Sequence, residues 1–244
     1  MIKIKGIKTY PGGKGSAGTY QKIINEIRPH HQLIIPFLGN CGVVRNITRA
    51  TTTIGIDISR EIVDTWRKMK FDWINLFSLD AITYLEYYFP PGTVIYCDPP
   101  YPIESRSSKR KIYDHEMSMD DHERLLKSLK KQKCDVLIST YENDLYKQEL
   151  SDWRLKKFLA MTRGGLRTEY LYMNYPEPVE LHDYRFLGEN FRERERISNK
   201  IKRHVNRLKK LPILERKAIL KSLVAADTNF NDEEVLSAGS NHKK

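Results

Sequence analysis

Thr93-Val94-Ile95-Tyr96-Cys97 runs without a break into Asp98-Pro99-Pro100-Tyr101. The first five residues are β-branched, aromatic or small and apolar, the make-up of a buried strand. Apolar runs of the same kind recur at residues 33–37, 53–57, 73–77, 135–139 and 169–172. Helical patterns fill the intervals at 17–27, 61–70, 81–89, 119–129 and 143–150. This alternation predicts an α/β domain with a mostly parallel sheet and helices on both faces. In such sheets ligands collect beyond the carboxyl ends of the strands, where strand order reverses. The residues just after each strand are therefore where chemistry is to be sought.

After residues 93–97 stand an acid, two prolines and an aromatic. A Pro-Pro turn closing a strand explains the prolines but neither Asp98 nor Tyr101. Methylation of an adenine amino group uses all four. That nitrogen is a poor nucleophile because its lone pair is delocalised into the ring. A carboxylate accepting one N–H, with a backbone carbonyl accepting the other, favours the tetrahedral nitrogen that forms as a methyl group is attacked. Pro99 and Pro100 offer carbonyls on a stiff backbone with no competing donor. The Tyr101 ring is suited to stack on a base taken out of the duplex.

Other strand ends add to this. Pro36-Phe37-Leu38-Gly39-Asn40-Cys41-Gly42 follows the run at 33–37, and glycine there lets backbone approach a ligand closely. A plain strand-to-helix turn reads the same way. Asp57 ends the second run and is placed to hold both hydroxyls of a ribose, or to cap the next helix. Asp80 follows the run at 73–77, and its plain reading is likewise a helix cap. Three acids at three strand ends say more together than each alone. Tyr10-Pro11-Gly12-Gly13-Lys14-Gly15 looks like a phosphate loop, but Gly15 stands where that loop needs Ser or Thr.

With these residues assembled, residues 8–222 resemble the Dam-like DNA adenine methyltransferases with alpha-order motifs, above all the short phage and prophage members. The matching order is Tyr10 to Lys14, Pro36-Phe37-x-Gly39, Asp57, Asp80, then Asp98-Pro99-Pro100-Tyr101. Ser139-Thr140-Tyr141 and the stretch from Glu169 to Asn174 are also similar to that family. The resemblance implies a class I methyltransferase sheet of Rossmann type, with an antiparallel strand near its end. It implies S-adenosylmethionine as cofactor, bordered by Tyr10, Gly13, Lys14, Pro36, Phe37 and Gly39. Asp57 would hold its ribose and Asp80 its adenine amino group. The implied reaction is direct methyl transfer to the amino group of a flipped adenine in double-stranded DNA. Amino methylation of cytosine or RNA, and a catalytically silent DNA-binding protein on the same fold, are the rivals. Two departures stand out. Cys41 occupies a usual glycine position, and the short stretch from Asp80 to Asp98 has no room for a target-recognition domain.

The 244 residues carry a net charge of +11. Between Arg185 and Lys221 thirteen Lys or Arg face four Glu, a surplus of 13 − 4 = 9. A polyanion partner is the natural inference, a solvated helix face the plainer one. DNA contacts are expected from Arg106, Lys109, Arg110 and Lys111 after the Asp98 motif, and from Lys200, Lys202, Arg203 and Arg207. No apolar run reaches membrane-spanning length, and there is no signal-peptide pattern, so a cytoplasmic protein is expected. The three cysteines suit neither disulfides nor a metal site, and no metal is expected. A restriction endonuclease partner is compatible with the activity. Three segments are expected: a catalytic domain over 1–178, a basic helical segment over 179–226, and a flexible tail over 227–244.

Overall fold

The computed structural model describes residues 18–69, 71–106, 113–162 and 165–239. One seven-stranded sheet forms from β1 (Gln32–Ile35), β2 (Thr52–Asp57), β3 (Ile74–Ser78), β4 (Thr93–Cys97), β5 (Asp135–Thr140), β6 (Arg154–Thr162) and β7 (Gly165–Met173). Its order is β3-β2-β1-β4-β5-β7-β6. The first five strands pair in parallel, and β7 runs antiparallel to both β5 and β6. From β1 the chain steps outward through β2 to β3, then returns to lay β4 on the other side of β1. The crevice outside the carboxyl ends of β1 and β4 is the reversal point at which α/β sheets bind ligands.

The parallel strands are apolar on both faces, as strands covered by helices must be. Leu33 and Ile35 of β1, with Val94 and Tyr96 of β4, belong to one core. That core also holds Ile23 and Ile24 of α1 (Thr19–Ile24), Val43 and Val44 of α2 (Gly42–Asn46) and Trp66 of α3 (Arg60–Lys68). Ile34, Ile95 and Cys97 face the other way. There they meet Ile82 of α4 (Ala81–Tyr84), Leu125 and Leu129 of α5 (Met119–Lys130), and Tyr146 of α6 (Asp144–Glu149). Short polar residues start these helices. Ser59 caps α3, Asn143 caps α6, and Ser118 with Asp121 forms a reciprocal capping box at α5. Cys41, Cys97 and Cys134 are buried free thiols.

β6 is missing from the apolar runs of the sequence because Arg154, Lys156 and Lys157 interrupt it. Two of these cations are bound inward. Glu26, 2% exposed, accepts from Arg154 at 2.6 Å and from Lys156 at 2.7 Å, tying the chain after α1 to the sheet's last strand.

Two compact units divide at Asn190 and Phe191 rather than at 178 and 179. Residues 179–190 belong with the first unit because they bond back to the ends of α1 and α2. Asp183 accepts from the Thr48 N–H at 2.9 Å, Arg185 donates to the Asn46 carbonyl at 2.6 Å, and the Phe186 carbonyl accepts from Asn25 at 2.8 Å. The second unit holds α7 (Phe191–Lys209) and α8 (Ile213–Gly239). The tail expected from residue 227 is helical through Gly239. Between Pro212 and Gly239 the sequence has no proline or glycine, so nothing in it stops a helix at residue 226.

Replacing Glu26 by Ala leaves Arg154 without its acid at the edge of the core and Lys156 with only the exposed Glu189. The expected cost is about 3 kcal/mol, the low end for breaking a buried ion pair, since both partners keep some solvent contact. Urea unfolding checks this: the midpoint falls while the slope is unchanged.

Candidate active site

The turn after β1 is held from several sides. Leu38 donates its N–H to the Ile56 carbonyl at 2.8 Å, and the Gly39 carbonyl accepts from the Trp66 indole at 2.7 Å. Gly39 sits at φ 41°, the left-handed region that favours glycine. Cys41 does not: its φ is −55°, and its side chain is buried against the core. A β-carbon is tolerated there, so the departure from the family glycine costs the turn nothing. Burial pushes the Cys41 thiol up to about 11, and the nearby Asp98 charge pushes the same way. Because β1 and β4 pair in parallel, the turn after β1 and the motif after β4 leave neighbouring strand ends.

Asp57, at the end of β2, receives two backbone donors. Its Oδ2 accepts from Gly39 at 2.8 Å and its Oδ1 from Ser59 at 2.9 Å. Burial raises its carboxyl above the ordinary value, against the pull of those two bonds and of His115. Asp80 caps α4, accepting from the Ile82 N–H at 2.9 Å and the Thr83 hydroxyl at 3.1 Å. Both acids thus fill the capping or turn role that sequence allowed, while standing at the ligand edge of the sheet. Phe37 is half-buried and packed against the core that holds Ile56 and Ile82, and the side-chain oxygen of Asn40 is buried with no partner among the described residues. An unfilled acceptor, a half-buried ring and a carboxylate at the end of β2 fit an adenosine-bearing cofactor such as S-adenosylmethionine.

Asp98 leaves β4 half-exposed, with Pro99 buried and Pro100 partly so. Tyr101 turns inward and is only 5% exposed. Its phenol lies 3.0 Å from Asp98 Oδ1 and 2.8 Å from Glu169 Oε2 of β7. Burial, then the charges of Asp98 and Glu169, hold that phenol well above its ordinary pKa, so it stays a donor. One phenolic proton serves two carboxylates and pins the start of the motif to the far strand. The Tyr101 ring meets Tyr141 edge-on at 4.6 Å, and the Arg167 guanidinium lies 5.3 Å from the Tyr141 ring centre. The expectation that Tyr101 stacks on the base is thereby altered: its ring is enclosed, and Tyr141 is the half-exposed aromatic at this edge.

Arg106 is not on the surface. Its guanidinium donates to the Tyr101 carbonyl and to Glu116, with a side chain 5% exposed. It braces the loop after Tyr101, because an inward cation finds an acid ten residues on that its sequence neighbours do not reveal. Lys200, Lys202, Arg203 and Arg207 are exposed on α7, none of whose residues is buried. Tyr10, Gly13, Lys14, Lys109, Arg110 and Lys111 lie outside the described residues. Among the described residues no cluster of His, Cys, Asp and Glu is placed to hold a metal, and no helix is long and apolar enough to cross a membrane. Sequence reasoning misses the placement of Glu169, Tyr141 and Arg167. The one available signal is an acid, Glu169, opening an apolar strand.

Residues 74–163, from β3 through β6, match the family model of D12 class N6 adenine-specific DNA methyltransferases. No curated protein matches the chain. Among solved structures, a dimethyladenosine transferase from Plasmodium falciparum is 14% identical, with 65% of this chain and 61% of that chain covered and a TM-score of 0.45. A conserved hypothetical protein from Streptococcus pyogenes is 15% identical, with 68% and 99% covered and a TM-score of 0.43. The magnesium protoporphyrin IX methyltransferase from Synechocystis is 10% identical, with 65% and 77% covered and a TM-score of 0.41. Likenesses at this level say nothing of substrate or cofactor. The chain carries a D12 class adenine-specific DNA methyltransferase domain over residues 74–163, and it transfers a methyl group from S-adenosylmethionine to N6 of adenine in DNA.

Proposed function

We propose that Asp98 is the acceptor for the adenine amino group and that the base reaches it by leaving a double-stranded DNA helix. The observation that carries this is the Tyr101 phenol held between Asp98 and Glu169, which aims a carboxylate from the end of β4 at the ligand edge. Asp98 accepts one N–H of the substrate amino group, and a backbone carbonyl at Pro99 or Pro100 accepts the other. That pull draws the nitrogen lone pair out of the ring, and Asp98 takes the proton released once the new N–C bond has formed. S-adenosylmethionine supplies an electrophilic methyl group when bound. Asp57 accepts from its ribose hydroxyls, Phe37 and the backbone at Pro36 and Gly39 line its pocket, and Asp80 accepts from its adenine amino group. Tyr141 offers the ring against which a flipped base rests. Tyr10, Gly13 and Lys14, outside the described residues, are given to the cofactor's methionine end by the resemblance alone.

The same reading makes α7 a phosphate-binding helix. Lys200, Lys202, Arg203 and Arg207 are exposed cations within eight residues of one helix. Such contacts fix register on a duplex without reading sequence. Lys109, Arg110 and Lys111, next to the catalytic motif in sequence, are the candidates for base contact. The short span between Asp80 and Asp98 supports kinship with phage and prophage members. A restriction endonuclease that cuts the same unmethylated sequence would be a fitting partner.

Asp98→Ala is expected to abolish methyl transfer while cofactor binding survives. The loss corresponds to about 3–4 kcal/mol of transition-state stabilisation, by analogy with removal of an oxyanion-hole donor. Tritium transfer from labelled S-adenosylmethionine to DNA, RNA and protein side by side measures it, and near-normal turnover would overturn the assignment. Asp57→Ala is expected to weaken cofactor binding by roughly 1.5–3 kcal/mol, the range for hydrogen bonds to a charged group. Calorimetry showing unchanged affinity in the folded variant moves the ribose site elsewhere. Exchanging Lys200, Lys202, Arg203 and Arg207 together for Gln is expected to weaken binding to all DNA sequences alike. The slope of log affinity against log salt then flattens by about 0.9 for each phosphate that the helix no longer neutralises. Unchanged affinity and slope would make α7 a structural element only, and an altered site preference would make it a base reader.

A further inference from the structure

β7 outruns its neighbour. Its ladder with β5 ends at Thr140↔Tyr170, whereas its ladder with β6 continues to Thr162↔Gly165. Five residues of β7, from Gly165 to Glu169, therefore extend past the carboxyl end of β5 as a two-stranded arm. At about 3.3 Å per residue the arm projects roughly 17 Å. It leaves the sheet on the catalytic edge, because β4 and β5 are parallel and Asp98 follows β4.

The two faces of the arm differ. One face carries Glu169, which binds Tyr101, and Arg167, which lies over Tyr141. The other carries Leu159 and Met161 of β6 and Leu166 of β7, with Met161 directly opposite Leu166. These three are 59%, 54% and 63% exposed. Three adjacent large apolar side chains in water, at the end of an edge hairpin, are costly unless something covers them. Among the described residues of the arm and its base, Lys157 and Arg167 are cations not paired with an acid in any salt bridge, and the acid Glu169 is taken up by Tyr101, so the arm suits a polyanion. Leucine and methionine are among the side chains that proteins drive between base steps.

We infer that the β6–β7 arm is the wedge that enters the duplex where the target adenine leaves it, with Leu159, Met161 and Leu166 filling the space the base stack vacates. The inference rests on the reading that the base is flipped toward Asp98. The arm's position links the two events, since the strand carrying Leu166 also carries the residues that hold Tyr101 and cover Tyr141. With no room for a target-recognition domain between Asp80 and Asp98, the core sheet itself supplies the element that opens the helix.

The test replaces Leu159, Met161 and Leu166 together by Ser, with Met161→Ser alone as a milder companion. The substrates are a duplex holding the sequence that the wild-type chain methylates in plasmid DNA, as found by sequencing, and the same duplex with the target adenine opposite an abasic position. Single-turnover transfer to the intact duplex is expected to fall by about tenfold or more, because the rate depends exponentially on the cost of unstacking. Transfer to the pre-opened duplex is expected to stay within about twofold of wild type, as lifting the unstacking cost in advance makes the wedge dispensable. Equal losses on both substrates, or none on either, would overturn the wedge. So would light scattering that shows the triple variant breaking a wild-type dimer while both rates fall together, which makes the face a contact between copies. Failure of the underlying reading shows separately: wild-type chain would then leave 2-aminopurine at the target position dark.

Discussion

Because the parallel strands are buried on both faces, polar chemistry is confined to where they end. β1, β4 and β5 are sealed by two cores of Leu, Ile, Val and aromatic side chains, so the sheet's faces leave little place for charged or catalytic groups. Gly39, Asp57, Asp80 and Asp98 follow or close four parallel strands at one edge. Strand order reverses between β1 and β4, and there the turn after β1 and the Asp98-Pro99-Pro100-Tyr101 segment become neighbours. Asp98 and Cys41 are far apart in sequence, yet they follow strands that pair side by side.

The antiparallel end of the sheet does different work. β7 brings Glu169 to Tyr101 across 68 residues of sequence. Burial holds the phenol well above its ordinary pKa, and its oxygen lies within hydrogen-bond distance of both carboxyl groups. Arg106 holds the carbonyl of the same tyrosine and pairs with Glu116, so the motif is gripped from both sides. Tyr101 and Arg106, expected at the substrate from the sequence, are both turned inward and brace the motif. Residues beside them, Tyr141 and Arg167, stand at the exposed edge.

Charge is distributed with a similar division. The cations of β6 nearest the core are neutralised by Glu26, and Lys156 also pairs with Glu189. The cations of α7 stand on a helix with no buried residue, where Glu193 engages Arg196 at 3.6 Å. Net charge alone does not distinguish these two populations, because a lysine bound to a buried acid and one facing solvent count the same.

The α/β class, the five parallel strands and the strand-end acids are legible in the amino-acid sequence. These features are local: apolar composition makes a strand, and a glycine or capping acid marks its end within a few residues. The Asp98-Pro99-Pro100-Tyr101 segment is legible for the same reason, since it is four consecutive residues directly after a strand. The extent of α8 is not, because a polar run without a hydrophobic pattern reads as a tail, although nothing in it breaks a helix before Gly239. The directions in which Tyr101 and Arg106 face emerge only from the folded chain. Glu169 and Glu116 set them, and no local pattern announces a partner on another strand or loop. The arm of β6 and β7 is hidden likewise. Its apolar residues read as an interrupted strand, and only the pairing of strands distant in sequence shows where β5 stops and the hairpin continues.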